Sequence, residues 1–177
     1  MTCFQKTFFP LVFLSLLSFY SKSQTCTSCT LHINTQDTSS YTIGSGQTLC
    51  LDSGAVISGN ITLSGGTLCI KGIFNPASFT NNGGTIIINS YGVVILKNDV
   101  VIGAQQITVN KRGVLNVLGK LTLGNSQSNI SSEGSLNISG NIVLNAGTIN
   151  NSGALNYNHL ESNGGSISGD GANNARN

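Results

Sequence analysis

Five cysteines carry the chemistry that spacing constrains most: Cys3, Cys26, Cys29, Cys50 and Cys69. Cys26 and Cys29 form a C-x-x-C pair, half of a tetrahedral zinc site, but Cys50 and Cys69 lack the second tight pair such sites use. In an exported chain, Cys26, Cys29, Cys50 and Cys69 suit two structural disulfides better than zinc or buried free thiols. Sequence leaves all three pairings open. The remaining candidates are Asp37, Asp52, Asp99, Glu133, Glu161, Asp170, His32 and His159. Cleavage of a polysaccharide needs carboxylates held close together, or carboxylates with calcium. Here no D-x-D or D-D pair occurs, and no serine sits in G-x-S-x-G. The glycine-rich calcium-binding nonapeptide is missing too. The sequence therefore assigns no catalytic residue, no cofactor and no metal ligand, and it reads as non-enzymatic.

Export is read from the first residues. Lys6 precedes an apolar run over residues 10–19, and a polar stretch, Ser21-Lys22-Ser23-Gln24, follows. This is the layout of a cleaved signal peptide over 1–24. The run is short of the roughly 20 residues a membrane-crossing helix needs, so no membrane insertion is expected after cleavage. Cleavage removes Cys3, Lys6 and Lys22. Six basic residues (Lys71, Lys97, Lys111, Arg112, Lys120, Arg176) then face the six acids, a net charge near zero. A nucleic-acid or anionic-membrane partner would need a basic patch, and none is present. Charged residues make up only 8% of the chain, so the expected surface is hydroxyl and amide.

The elements that would carry this surface follow from a repeat. Gly92, Gly113 and Gly134 begin three similar blocks in steps of 21. Apolar residues alternate within each block: Val94/Leu96, Leu115/Val117 and Leu136/Ile138, then Val100/Ile102, Leu121/Leu123 and Ile142/Leu144. A third segment runs from Ile107/Val109 to Ser128/Ile130 and on to Ile149/Asn151. Period two marks strands, and a fixed period near 20 marks a solenoid. The spacing predicts an all-β, single-stranded parallel β-helix of about five to six coils of 19–21 residues. The rival antiparallel sandwich does not explain a constant step. The expected organisation is a cysteine-containing cap over 25–45, the β-helix over 46–168 and a polar tail over 169–177. Residues 74–82, with Pro76, read as a longer corner loop.

Stacking by these steps puts Cys50 over Cys69 and Asp99 against Lys120. It also aligns Asn116, Asn137 and Asn156 as an amide ladder of the kind that stabilises stacked strands. Ice binding would want unbroken threonine columns. Thr48 stacks on Thr67, but Thr108 is followed by Asn129 and Asn150.

The segments TCTSCTLHI, SYTIGSGQTLCLDSG and ISGNITLSGGTLCIKGIFNP resemble the start of large exported surface proteins of Bacteroidetes-type bacteria. The later GTINNSGALNYN is similar to their β-helical repeats. The resemblance implies an adhesin-like surface protein, secreted or held at the cell surface, with surface glycans or other surface components as partners. Such proteins often end in a sorting domain read by the type IX secretion system, and residues 169–177 do not resemble one. The expected function is a structural, adhesin-like module. The alternatives are a carbohydrate-binding or pectate-lyase-like polysaccharide-degrading β-helix, and an ice-binding protein.

Overall fold

The computed structural model describes Cys26 and residues 28–176; the expected signal peptide, 1–24, lies outside them. The described residues form no helix. They wind into a parallel β-solenoid of eight coils, each coil contributing one strand to each of two eight-stranded parallel sheets. The first face runs from Leu31–Ile33 through Thr48–Leu51, Thr67–Ile70, Gly84–Ile88, Gln105–Val109, Asn129–Ser132 and Thr148–Asn151 to Ser166–Ser168. The second face runs from Gln36–Asp37 through Val56–Ile57, Ile73–Phe74, Val93–Leu96, Val114–Val117, Ser135–Ile138 and Ala154–Tyr157 to Ala172–Ala175.

Alternation places every second side chain inside. Leu49, Leu68, Ile86, Ile107, Ile130 and Ile149 form one inward column of the first face, all buried. Phe74, Val94, Leu115, Leu136 and Leu155 form the matching column of the second face. Burying each such side chain is worth about 1.5–3 kcal/mol, so the stack is held by its interior. At the last coils the interior turns polar. Buried Asn151 donates from Nδ2 to the Ala172 carbonyl at 3.1 Å and to Asn173 Oδ1 at 3.0 Å.

The glycine repeat marks the corner between the first and second faces. Val114 N–H donates to the Gly92 carbonyl and Ser135 N–H to the Gly113 carbonyl, both at 2.9 Å. A Cβ on Gly134 would collide with the carbonyl oxygen of Gly113, so the corner excludes side chains.

Four expectations need correction. There are eight coils rather than five or six, because the end coils carry few apolar residues and steps of 18 occur beside those of 19–21 (Leu31 to Leu49, Leu68 to Ile86, Ile149 to Ile167). The stack also exceeds 46–168. The cap region holds Leu31–Ile33 and Tyr41–Gly44, and Ala172–Ala175 in the tail pairs with Ala154–Tyr157. The third segment shifts by two: Ile107 pairs with Ile130, not Ser128. Residues 124–128 absorb the insertion, and Ser128 turns its hydroxyl onto the Ile102 carbonyl at 2.9 Å. Finally, 74–82 is not one loop, since Ser78–Asn81 is a strand paired with Asn60–Ser64.

Candidate functional site

The third face is where the stack is interrupted. Its strands form two sheets, Tyr41–Gly44, Asn60–Ser64 and Ser78–Asn81 in coils 1–3, then Val100–Ile102, Leu121–Leu123, Ile142–Leu144 and Leu160–Ser162 in coils 4–7. The cause is a change of cross-section. Second-face strands have two residues in coils 1–3 (Val56–Ile57, Ile73–Phe74) and four from coil 4 on (Val93–Leu96, Val114–Val117). Two extra residues at ~3.3 Å each carry coil 4 about 7 Å further before it turns. Val100–Ile102 therefore does not sit over Ser78–Asn81. Pro76 stands at the point of divergence and has no N–H to offer the ladder.

The step opens a cleft of about 300 Å³ lined by residues 76–81 and 96–101. Pro76, Phe79, Leu96 and Val100 give it apolar walls, while Ser78, Thr80, Asn81, Lys97, Asn98 and Asp99 bring hydroxyls, amides and both charges. Phe79 meets Phe74 edge-on with ring centroids 5.7 Å apart, which fixes its ring. Val101 is 61% exposed. Asn81 Nδ2 donates to Gln105 Oε1 beyond the strand. Gln105 is buried and its Nε2 has no partner, and neither does the buried Oδ1 of Asn75, next to Pro76.

The cysteines lie on the first face, with Cys50 in coil 2 and Cys69 in coil 3. Cys50 and Cys69 are in register on its outer side. The disulfides join Cys26 to Cys69 and Cys29 to Cys50, with Cα–Cα distances of 6.0 and 5.7 Å. Asn89 sets its Nδ2 3.2 Å from Cys69 Sγ and accepts from Asn110 Nδ2 at 3.1 Å. His32 Nδ1 lies 3.6 Å from Asp52 Oδ2, both exposed. Oxidised sulfur is neither nucleophile nor metal ligand, so this cluster acts as a staple.

On the outer side of the second face, Asn137 Nδ2 donates to Asn116 Oδ1 at 2.9 Å and Asn156 Nδ2 to Asn137 Oδ1 at 2.8 Å. Asn174 continues the column, donating to Asn156 Oδ1 at 3.0 Å. Sequence reasoning missed this fourth rung because it read 169–177 as a tail.

The carboxylates are spread over the molecule, and Asp37, Asp99 and Glu161 take structural partners. Asp99 Oδ1 accepts from the main-chain N–H of Lys120 at 2.8 Å. Glu161 accepts from Asn141 Nδ2 at 3.3 Å. Asp37 accepts from Tyr41 Oη at 2.6 Å and from Ser39 N–H at 2.7 Å. The Tyr41 hydroxyl first, then the Ser39 N–H, holds the Asp37 carboxyl below its usual range, and the same bond raises Tyr41. Among the described residues, no three His, Cys, Asp or Glu side chains form a group able to hold a metal ion.

A further surface feature is the corner after the first face. Tyr91 and Arg112 adopt φ of 67° and 66°, left-handed values that non-glycine residues rarely hold. The Arg112 guanidinium lies 5.4 Å from the Tyr91 ring centroid and donates to its hydroxyl.

Fold and site together define a disulfide-stapled parallel β-solenoid. Comparison with protein-family models, with curated proteins and with solved structures finds no match for this chain.

Proposed function

We propose that this chain is a secreted or cell-surface, non-catalytic β-solenoid module of adhesin-like character, contacting surface glycans or other surface components. The observation that carries this reading is the outward amide column Asn116–Asn137–Asn156–Asn174, locked rung to rung at 2.8–3.0 Å. Such a column offers uncharged donors and acceptors at the strand spacing of about 4.8 Å, chemistry that suits hydroxyl-rich polymers. The two disulfides are compatible with an oxidising compartment.

The test is fractionation of the source cells with an antibody to the folded protein, followed by pull-down of purified protein on insoluble envelope polysaccharide. Surface or medium location with retention on the polysaccharide is expected. Cytoplasmic retention, or release of new sugar ends from the polysaccharide, overturns the reading.

Ice binding is favoured by one specific arrangement. Thr48, Thr67 and Thr85 stack in register on the first face, and Thr42, Thr62 and Thr80 on the third. Thermal hysteresis of the purified protein, lost in Thr67→Leu, decides for that reading over the first.

A further inference from the structure

The geometry points to the cleft between coils 3 and 4 as a strand-addition site for an extended peptide segment of a partner polypeptide. This goes beyond the surface reading and does not depend on where the protein resides.

Main-chain groups of neighbouring residues in a strand point to opposite sides of it. Val100 N–H donates to the Lys120 carbonyl at 2.8 Å, and the Ile102 carbonyl accepts from Gly124 N–H at 3.0 Å. Both therefore face coil 5, and the N–H and carbonyl of Val101 between them face the cleft. On the opposite wall, Asn82 N–H donates to the Leu63 carbonyl at 2.8 Å, towards coil 2. The main chain of Asn81 accordingly faces the cleft from the other side. The four-stranded sheet that begins at Val100–Ile102 thus presents an open edge above a ledge made by 76–81.

An unpaired edge accepts another strand by main-chain hydrogen bonds, with alternate side chains setting preference. Within the stack the opposite edge of Val100–Ile102 is covered by Leu121–Leu123, in the pattern apolar, polar, apolar. The same pattern fits the cleft: apolar side chains reach the floor of Phe79 and Leu96, and the polar one sits outside beside Val101. Lys97 and Asp99 flank the edge and favour a segment carrying both charges or neither. A saccharide would use the polar side chains of the cleft but would leave the Val101 edge without its strand partner.

The experiment uses the folded, oxidised protein and a synthetic probe, acetyl-Lys-Leu-Thr-Leu-Gly-Asn-amide, copying residues 120–125. Amide hydrogen exchange at Val101 is expected to slow about tenfold or more at saturating probe, as for an amide newly paired in a sheet. A probe N-methylated at its second leucine, the residue after the threonine, keeps the side chains and removes the N–H that would donate to the Val101 carbonyl, and it should protect nothing. Val101→Pro removes the edge donor, which is also the reporting amide, at a position where proline is tolerated; it should abolish the heat of probe binding in titration calorimetry at unchanged melting temperature. The N-methylated probe leaves the protein unaltered and decides the matter if Val101→Pro folds poorly. Equal protection by both probes, protection confined to Ala172–Ala175, or no protection overturns the proposal. Protection of Val101 by cellohexaose in place of the peptide overturns it in favour of a saccharide site.

Discussion

Asn137 donates its side-chain Nδ2 to Asn116 Oδ1 at 2.9 Å while accepting from Asn156 at 2.8 Å, so one residue holds three coils in register. Asn137→Ala removes a donor and an acceptor from a partly buried column. The expected cost is about 1–3 kcal/mol, each kcal/mol lowering the melting temperature by roughly 2–4 °C. Asn174→Ala loses a single exposed bond at the end of the column and should cost less. Thermal unfolding of both variants checks the order; a larger loss at Asn174 would sink the idea of a cooperative ladder.

The disulfides enclose sequence separations of 43 and 21. Chain-entropy arguments give about 3–4 kcal/mol for loops of this size. Peptide mapping without reductant should join Cys26 to Cys69 and Cys29 to Cys50. After reduction, amide exchange should accelerate in Leu31–Ile33 and Thr48–Leu51 and stay unchanged in Ser135–Ile138. Recovery of a Cys26–Cys29 peptide would refute the pairing.

The middle of the fold is legible in the sequence because two constraints coincide there. The corner glycines Gly92, Gly113 and Gly134 cannot carry a Cβ, and Leu115 or Leu136 must alternate with outward residues. The ends are less legible. Gln36–Asp37 and Ala172–Ala175 are polar or small strands held by neighbours on a ladder rather than by their own burial. The shift at Ile130 was hidden because a constant 21-residue step places Ser128 there, and only the preference for an apolar column over Ile107 reveals the two-residue insertion. The cysteine pairing depends on where Cys26 and Cys29 lie against the first face, which no spacing encodes. The cleft left one trace in sequence, the lengthening from Ile73–Phe74 to Val93–Leu96 just after Pro76, visible only when coils are aligned strand by strand.

Asp37 and Tyr41 make coil 1 sensitive to pH at both extremes. The folded pKa of Asp37 is depressed by the Tyr41 hydroxyl and the Ser39 N–H. Its contribution is present above the unfolded carboxylate pKa and is lost as pH falls through the folded value. Tyr41 is shifted upward by the same bond. Its contribution is complete below the ordinary tyrosine pKa and is lost as pH rises through the folded value. Protection factors in Tyr41–Gly44, which divide out the intrinsic pH dependence of amide exchange, should therefore fall at both ends of the range. Asp37→Asn should flatten the acid limb, and an unchanged acid limb in that variant would assign the effect elsewhere.

Two leucines three residues apart test the register most directly. Leu115 is 2% exposed and stacks between Val94 and Leu136, whereas Leu118 is 53% exposed where the chain leaves the second face. Leu115→Asp buries a charge with no partner among apolar neighbours, at a cost above about 4 kcal/mol, enough to unfold much of the stack. Leu118→Asp places the same charge in water and should stay within about 0.5 kcal/mol of the parent. A one-residue slip would turn every inward residue of the strand outward, so it would remove or reverse this contrast. Equal melting temperatures for the two variants, read by circular dichroism, would refute the register on which the amide column and the open edge at Val101 both rest.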